Sequence, residues 1–378
     1  MTTRSDKDKS AAEFDGPRAL HPTEYASALK LINAVLRPPA HGTILKEYPL
    51  VLGTDNIENM RVIVQGNEVV SHAAIYFSNL RTGNLVFKVG GIGSVATHPD
   101  CRGRGLASAV IRDCIRIMEE AKCHLSVLWT QRRDFYGRLR YETAGSEYLF
   151  RAKASDFAHI SCECKVIPYS PERLSAIIDI HERETCRTER TRNEYETYFG
   201  IPKTKTLLAM RGNTVTAYAA MGKGEDFRSC VHEWGGDAND VLCLAHTFAR
   251  SSSMGEIVIL TPSQENDFTR LLKQMRLMKI FEYLAMIRVI DAEGPSSILH
   301  DHLSLRLGRN FQIERSQTGL SIKVGDEEII LDQEQKLMRL LFGPDSASSL
   351  LRGFSPETIH SLESELPIPL FIWGLDSV

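Results

Sequence analysis

Apolar residues recur along the first third of the chain at spacings that predict alternating strands and helices. Residues 22–36 place apolar side chains three or four positions apart, which predicts an amphipathic helix. Two apolar runs then flank the turn pair Gly66-Asn67, which predicts a β-hairpin. A further strand is followed by helical spacing over 105–121 and by a short apolar run at 124–130. This order of hairpin, strand, helix and strand predicts a mixed α/β domain.

The hairpin pattern returns later in the chain. The segment RGNTVTAYAAM (211–221) matches QGNEVVSHAAI (65–75) at five positions, with a constant offset of 146 residues. A chance match between two common hairpin turns is one interpretation. A duplicated domain is the other, and we favour it because the offset equals the length of one domain.

From about residue 295 the pattern changes. An apolar hairpin over Gly325-Asp326 precedes a helix for which Asp332 is the expected N-cap. We therefore expect an α/β (α+β) chain with mixed sheets that divides into a disordered tail (1–16), a first domain (17–152), a second, similar domain (153–294) and a C-terminal α/β domain (295–378).

Composition is that of an ordinary globular protein, with 43% hydrophobic and 25% charged residues among 378. A net charge of -3 argues against a general binder of nucleic acid or of membrane surfaces. No apolar run approaches the roughly 20 residues needed to cross a bilayer. The eight cysteines include no C-x-x-C pair, so we expect reduced thiols in a cytoplasmic protein and no metal site. The mixed-charge segment RETCRTERTRNEYE (183–196) is expected to be a solvated helix face or a subunit contact.

The stretch VGGIGSVATHPDCRGRGLASAVI (89–111) contains two overlapping candidates for a phosphate-binding loop. Gly91, Gly93 and Ala96 match the dinucleotide-binding pattern G-x-G-x-x-A. That pattern requires a helix to begin within it. Here the strand continues past these residues, and Pro99 disfavours helix at the residue before it. The dinucleotide interpretation therefore fails.

The second candidate, CRGRGLA (101–107), lies where the predicted helix begins. The free N–H groups of a first helical turn and the positive end of the helix dipole attract an anion. Gly103 and Gly105 allow the backbone to approach a ligand closely. Arg102 and Arg104 add positive charge with a forked geometry suited to phosphate oxygens. We call residues 101–107 the cradle and predict that it binds a phosphate group.

Arg102, Gly105 and Ala107 fit the pattern [RQ]-x-x-G-x-[GA] between a strand and a helix, so residues 17–150 resemble the GNAT superfamily of N-acetyltransferases. The resemblance implies that acetyl-CoA is the co-substrate. It also implies that backbone amides of the cradle hold the pyrophosphate and that the preceding strand offers its backbone to the pantetheine arm. The implied cofactor-binding residues are Val95, Ala96, Thr97, Arg102, Gly103, Arg104, Gly105, Leu106 and Ala107.

The second domain lacks such a loop at the offset of the repeat. Arg102 and Gly105 correspond there to Phe248 and Ser251, within the segment HTFARSSS. We therefore expect the second domain to keep the fold and to lack the phosphate site.

The segments VATHPDCRGRGLA and FYGRLRY, together with the order of the three predicted domains, resemble the enhanced intracellular survival (Eis) family of N-acetyltransferases. That resemblance implies an active GNAT domain, a degenerate GNAT domain and a C-terminal sterol-carrier-like domain. It also implies a small-molecule or peptide amine as acceptor, and a homo-oligomer, often a hexamer.

Tyr136, in RRDFYGRLRY, is the candidate general acid. The resemblance assigns to the tyrosine at this position the protonation of the coenzyme A thiolate. Tyr141 is the alternative, and we expect it to pack in the core instead. The family's usual YGRFGYG is altered here at Leu139, Arg140 and Glu142, which puts the end of this helix in question.

The general base is harder to place, because residues 85–97 contain no carboxylate. A primary amine is mostly protonated at neutral pH and must lose a proton before it attacks. In the Eis family the terminal carboxylate of the chain takes this role, so the resemblance implies Val378, with Asp376 as the alternative. The tail LPIPLFIWGLDSV (366–378) is apolar enough to be buried. Simple packing of this tail on the third domain is the other interpretation.

Two classes of function remain open. The leading prediction is an acetyl-CoA-dependent N-acetyltransferase that acts on a primary amine of a small molecule or of a lysine side chain. The alternative is a non-catalytic acyl-CoA-binding or lipid-carrying protein, which would need no general acid.

Overall fold

The computed structural model describes residues 13–37, 43–253, 255–291 and 293–378. The chain divides into two compact units, the first comprising Met1–Tyr76 and Ile92–Ile117 and the second Phe77–Gly91 and Met118–Val378. Strands and helices alternate in both units, which confirms the predicted mixed α/β fold class.

The elements have the following bounds. The strands are β1 (Phe14–Ala19), β2 (Met60–Gln65), β3 (Glu68–Thr82), β4 (Leu85–Thr97), β5 (Leu125–Leu128), β6 (Glu142–Ala144), β7 (Glu147–Lys153), β8 (Lys165–Pro168), β9 (Cys186–Glu189), β10 (Lys205–Arg211), β11 (Thr214–Lys223), β12 (Asp226–Gly236), β13 (Glu256–Pro262), β14 (Met278–Glu282), β15 (Ala285–Val289), β16 (Phe311–Arg315), β17 (Leu320–Val324) and β18 (Glu327–Leu331). The helices are α1 (Tyr25–Leu36), α2 (Ile44–Glu47), α3 (Pro49–Leu52), α4 (Leu106–Glu120), α5 (Arg133–Gly137), α6 (Leu174–His181), α7 (Arg192–Phe199), α8 (Ala238–Ser251), α9 (Asp267–Gln274), α10 (Glu293–Leu307), α11 (Glu334–Phe342), α12 (Ala347–Leu350) and α13 (Pro356–Glu365).

The first unit is built on antiparallel strands. β1 pairs with β2, and β2 pairs with β3 in the predicted hairpin, with Gly66 in the turn at φ +63°. β1 already begins at Phe14, because its backbone pairs with β2 from that residue onwards. The predicted disordered tail of residues 1–16 is therefore wrong for its last residues, while residues 1–12 lie outside the described residues.

The two predicted hairpins share an irregularity. In β2–β3 the pairing shifts by one residue between Ile63 and Val64, and in β10–β11 it shifts between Ala209 and Met210. The two shifts are separated by the same 146 residues that separate the matching segments. The order β2-β3-β4-α4-β5-α5-β6, called the first half below, is repeated as β10-β11-β12-α8-β13-α9-β14, the second half. The chain thus repeats its element order together with a local backbone feature.

The strand that follows each half pairs with strands of the other half. β5 pairs with β4 through Val89–Gly91 and with β15, and β15 pairs in turn with β6. A second sheet has the order β14-β7-β13-β12-β11-β10-β8. β15 therefore lies between strands of the first half, and β7 lies between strands of the second half. Sequence periodicity did not predict this exchange, because the pattern of one strand does not encode which strand pairs with it.

The C-terminal region contains the antiparallel sheet β16-β17-β18, with the predicted turn at Gly325 and Asp326. α11 follows this sheet, but the prediction that Asp332 caps it is wrong. The Asp332 carboxylate instead accepts a hydrogen bond from Lys336 Nζ at 2.7 Å, an ion pair along the helix face. The likeness of this region to a sterol carrier stays a prediction.

The tail, residues 366–378, is buried as its apolar sequence predicts. Near its start, the Ile368 N–H donates to the Leu341 carbonyl of α11 at 2.7 Å. Farther on, the Trp373 ring packs edge-on against Trp234 of β12, with ring centroids 5.1 Å apart. The tail therefore packs on the C-terminal region first and on the second half afterwards.

Cys162 and Cys243 form a disulfide, so the expectation of reduced thiols is wrong for this pair. The bond joins the segment between β7 and β8 to helix α8. The two cysteines are 81 residues apart in sequence. Local spacing rules cannot detect such a pair, because only the folded chain brings the two sulfur atoms together.

Candidate active site

The cradle connects β4 to α4 in the first unit. A short turn, Pro99–Cys101, follows β4, and α4 begins at Leu106. Gly103 and Gly105 have φ angles of +76° and +78°, a conformation that residues with a Cβ rarely adopt. A Cβ built on either glycine would meet no atom within 4 Å. The protein therefore leaves open space beside two residues that only glycine suits, directly before a helix.

The first turn of α4 supplies hydrogen-bond donors. The first helical hydrogen bond runs from the Ala109 N–H to the Gly105 carbonyl at 3.0 Å. The N–H groups of Leu106, Ala107 and Ser108 precede this bond, and first-turn N–H groups have no acceptor within their own helix. Together with the positive end of the helix dipole they favour an anion. Backbone donors without a helical acceptor therefore lie beside the two left-handed glycines.

Arg102 and Arg104 are both exposed on the cradle. Arg102 Nε donates to the Thr97 carbonyl at 3.2 Å, which holds this side chain against the end of β4. The Arg104 guanidinium lies 5.8 Å from the centroid of the Phe14 ring. Within the described part of the chain, neither guanidinium is paired with a carboxylate. Both charges can therefore serve a bound phosphate.

Val95, Ala96 and Thr97 are the last residues of β4. The strand runs through Gly91 and Gly93 without a helix beginning there, which agrees with the rejection of a dinucleotide-binding loop. Ser94, directly before these residues, has a φ of +53°, and its carbonyl accepts a hydrogen bond from His72 Nδ1 at 2.9 Å. Burial lowers the pKa of His72 to about 4, so its ring is neutral and Nδ1 carries the proton that it donates.

Tyr136 lies in the second unit, in the short helix α5. Its side chain is largely buried, and its ring meets Phe135 edge-on with centroids 4.9 Å apart. Tyr141 is also buried, and its hydroxyl lies 2.7 Å from Ser126 Oγ on β5. Tyr141 thus has the core position expected from the sequence, with its hydroxyl engaged by a buried strand residue.

Arg140 has a φ of +64°, in the left-handed region. This is one of the positions at which the sequence differs from the usual family motif, where a glycine stands. Residue 140 therefore carries a side chain in a backbone conformation that glycine adopts without strain.

Asp376 and Val378 are the two candidate bases at the end of the chain. Asp376 is buried, and Arg190 donates to both of its oxygens, from Nε to Oδ1 and from Nη2 to Oδ2, each at 2.7 Å. A proton taken up by Asp376 would have to compete with this ion pair. Val378 ends the chain two residues later and is half-buried. The ion pair argues against Asp376 as a base and leaves the terminal carboxylate as the candidate.

The sequence analysis missed Arg190, because residues 183–196 read as a solvated helix face. The structure shows instead a strand, β9, then a buried Arg190 whose side chain is 1% exposed, and then α7. Its second partner, Glu233, is fully buried on β12. The sequence did contain a signal for this ion pair, because Glu233 stands within the apolar run CVHEW. A buried carboxylate requires a charged or hydrogen-bonding partner.

The structural counterpart of the cradle in the second half is the junction between β12 and α8. Asp237 is the N-cap of α8 there, and its carboxylate accepts from the N–H groups of Asn239 and Asp240. An acidic side chain therefore engages the donors that would otherwise face an anion, and it adds a negative charge at the same point.

The sequence alignment of the two halves was wrong at this position. Phe248 and Ser251, expected opposite Arg102 and Gly105, lie near the C-terminal end of α8. The offset of 146 holds for the hairpins only. The second half has fewer residues between its hairpin and helix α8. The offset between corresponding residues of the two halves is therefore smaller by the start of α8.

The described residues contain no group of three or more His, Cys, Asp or Glu side chains placed to hold a metal ion. Among the helices described, none is both long and apolar enough to cross a membrane.

Comparisons with known proteins identify the domain that contains the cradle. Residues 17–144 match the family model described as Acetyltransferase (GNAT) domain, which includes the cradle and Tyr136. The match confirms the prediction of an enzyme of the GNAT N-acetyltransferase type at the level of this domain. No curated protein matches the chain.

Solved structures resemble the chain along almost its whole length. A GCN5-related N-acetyltransferase from Anabaena variabilis has 16% sequence identity and a TM-score of 0.68, with 97% of this chain and 100% of that chain covered. One from Kribbella flavida has 16% identity and a TM-score of 0.66, over 97% and 100% of the two chains. Eis1 from Mycobacterium abscessus has 13% identity and a TM-score of 0.61, over 93% and 96%. At such identities the likeness establishes a shared fold.

Proposed function

We propose that this chain is an acetyl-CoA-dependent N-acetyltransferase that acetylates a primary amine by direct transfer. The observation that carries the proposal is the geometry of the cradle. Two left-handed glycines, an open space beside them and a helix N-terminus are flanked by two exposed arginines, neither of which is paired with a carboxylate of the described residues. A ligand with a diphosphate group suits this combination of backbone donors and positive charge.

The proposed binding residues follow from that geometry. Gly103, Arg104, Gly105, Leu106 and Ala107 offer backbone N–H groups to the pyrophosphate, and the Arg102 guanidinium adds its charge. Val95, Ala96 and Thr97 offer the backbone of β4 to the pantetheine arm, as the resemblance to the GNAT superfamily implies. No metal ion takes part in this proposal.

Three proton transfers complete the reaction. The terminal carboxylate of Val378 accepts a proton from the acceptor ammonium, and the free nitrogen attacks the thioester carbonyl carbon. The C–N bond forms and the C–S bond breaks, while Tyr136 donates its hydroxyl proton to the leaving sulfur. The second proton of the nitrogen then restores the tyrosine hydroxyl. A positioned acid or base typically contributes about 10²–10⁴-fold to the rate.

The Eis-like organisation extends the proposal to the whole chain. The repeated element order and the shared hairpin irregularity support two GNAT-like domains, the second without a phosphate site. We propose further that the C-terminal region is sterol-carrier-like and that the cytoplasmic protein assembles as a homo-oligomer such as a hexamer. Light scattering coupled to size-exclusion chromatography tests the assembly.

The decisive experiment measures thiol release from acetyl-CoA against a panel of aminoglycosides, polyamines and lysine peptides. We expect at least one amine to raise the rate well above acetyl-CoA hydrolysis, with mass spectrometry showing one added acetyl group per modified amine. If every amine leaves the rate at background while acetyl-CoA still binds, the protein is a non-catalytic acyl-CoA-binding or carrier protein instead.

A second experiment tests the base. A short peptide added after Val378 moves the terminal carboxylate away from its position, and we expect the rate to fall at least ~100-fold. The same peptide added at the N-terminus is the control and is expected to leave the rate unchanged. Full activity of the C-terminally extended protein would exclude the terminal carboxylate as the base.

A further inference from the structure

The last residues of the tail are held by buried polar side chains that the proposed reaction does not use. Gly374–Asp376 form a single 3-10 turn directly before the chain end, and this turn is buried. Three polar side chains of the second unit surround this turn, two by direct contact and the third through Arg190. They are Arg190, which follows β9, Lys223 at the end of β11, and Glu233 on β12.

Arg190 bridges two buried carboxylates. It donates to both oxygens of Asp376 at 2.7 Å and to both oxygens of Glu233 at 2.8 Å. The exposed fractions of the three side chains are 3% or less. The rings of Tyr195 and Tyr198 lie 5.3 and 5.0 Å from the guanidinium carbon, close enough for cation–π contact. Each of the two carboxylates therefore has a forked partner, and the tail is tied to β12 through one side chain.

Lys223 holds the backbone of the same turn. Its Nζ is fully buried and donates to the carbonyl oxygens of Leu375 at 3.0 Å and Ser377 at 2.6 Å, and to Ser377 Oγ at 3.1 Å. The Gly374 carbonyl lies at 3.3 Å from the same nitrogen. These acceptors are the last backbone groups before Val378, so Lys223 sets the direction in which the chain ends.

Close packing leaves the turn little freedom. A Cβ added to Gly374 would lie 2.4 Å from His232 Nδ1, so this glycine lies flat against the imidazole ring. One residue earlier, the Trp373 indole N–H donates to the Cys186 carbonyl of β9 at 3.1 Å. The turn is thus fixed by shape as well as by charge.

Burying such a network is an energetically unfavourable way to hold a tail in place. Removing charged groups from water is unfavourable, and well-packed apolar residues often stabilise a fold at least as well. Charged pairs add a defined orientation, because a forked guanidinium donates to both oxygens of a carboxylate in one geometry. The chain end lies two residues beyond Asp376, within about 7 Å of it.

We propose that Arg190 and Lys223 are positioning residues that hold the terminal carboxylate of Val378 in a single orientation for proton transfer. This inference rests on the proposed function. A freely moving chain end would spend little time in the geometry that proton transfer requires. Fixing the chain end keeps its carboxylate in that geometry. Glu233 completes the anchor by holding the far side of the Arg190 guanidinium. We call Arg190, Lys223, Glu233 and Asp376 the tail anchor.

The experiment compares Arg190→Met and Lys223→Met with Arg192→Met. Arg192 is the matched control, because it lies two residues from Arg190 on the protein surface, where its exposed side chain pairs with Glu196 and donates to Ser175 Oγ rather than to the tail. Hydrogen exchange of residues 370–378 and release of Val378 by a carboxypeptidase report the position of the tail. Steady-state kinetics with the best amine from the panel report kcat and the KM for acetyl-CoA.

In both anchor variants we expect faster exchange of the tail, faster release of Val378, and a fall in kcat of at least ~10-fold. The KM for acetyl-CoA is expected to stay within ~3-fold, because the variants leave the cradle untouched; a general loss of structure would raise it. Arg192→Met is expected to match the wild type in every readout. Gly374→Ala displaces the turn without changing any charge, and we expect it to lower kcat in the same way should either charge variant fail to fold.

Two outcomes would overturn the inference. In the first, the tail of the folded anchor variants stays as protected as in the wild type. In the second, the tail is released and kcat does not change. Removal of Val378 from the wild-type chain separates this inference from the proposed function. Unchanged kcat in that truncated protein refutes the terminal base, while the exchange data still show whether the anchor holds the tail.

Discussion

The ring of Tyr136 packs edge-on against that of Tyr141, with centroids 6.0 Å apart. The two tyrosine rings are neighbours, but the two residues lie in different elements and have different contacts. The hydroxyl of Tyr141 meets Ser126 on a buried strand, whereas Tyr136 lies in a short helix of the motif that the resemblance associates with the general acid.

Replacing these tyrosines one at a time separates chemistry from packing. Tyr136→Phe removes the proposed acid, and we expect kcat to fall about 10²–10⁴-fold with little change in the KM for acetyl-CoA. Tyr141→Phe is the matched control; loss of its buried hydrogen bond should lower the free energy of unfolding by about 1 kcal/mol and leave kcat within a few-fold. Equal losses of kcat in both variants would assign the hydroxyl of Tyr136 no special role.

Gly105→Leu tests the cradle. The new side chain enters the open space beside the glycine and imposes strain at a φ of +78°, so we expect acetyl-CoA binding to be lost in calorimetry. Gly66→Leu is the control, because Gly66 has a φ of +63° and equally open surroundings in a hairpin turn. The two variants share the backbone strain, but only the first should lose binding. Normal affinity in Gly105→Leu would refute the phosphate site.

Arg140→Gly should stabilise the protein. Glycine adopts the left-handed conformation of residue 140 without strain, and relief of about 1 kcal/mol should exceed the loss of the exposed ion pair with Glu334. Arg138→Gly, at a φ of -65°, should instead lower the free energy of unfolding by about 0.5–1 kcal/mol. Urea denaturation measures both. A destabilised Arg140→Gly variant would show that the side chain contributes more than the strain removes.

Acid should destabilise the protein partly through His72. Burial lowers the pKa of His72 to about 4, whereas an unfolded histidine titrates near 6.5. Between these values the unfolded chain binds a proton that the folded chain does not, so the free energy of unfolding falls by about 1.4 kcal/mol per pH unit as the pH drops from 6.5 to 4. Above pH 6.5 this contribution is fully present.

His72→Asn isolates this effect, because the amide can still donate to the Ser94 carbonyl and does not titrate. Urea denaturation between pH 7 and 4 should show a slope smaller by one proton than in the wild type. Identical slopes in His72→Asn and the wild type would mean that His72 binds its proton equally well in the folded and the unfolded protein.

The sequence by itself determined the elements and the cradle. Period-2 and period-3.6 patterns locate the hairpins and α4, because each element buries one of its own faces. Gly103 and Gly105 could be read directly, since a left-handed turn before a helix depends on residues that are neighbours in the chain. The resemblance to the GNAT superfamily rests on the same local segment.

Tertiary structure alone decided which distant groups meet. The exchange of β7 and β15 and the disulfide between Cys162 and Cys243 join segments whose own patterns do not identify a partner. The sequence indicates a surface charge at Arg190, because the immediate neighbours of this residue are polar. Its two partners come from β12 and from the end of the chain. A buried charge is stabilised by the groups that surround it in space, and those groups are brought together only by the complete fold.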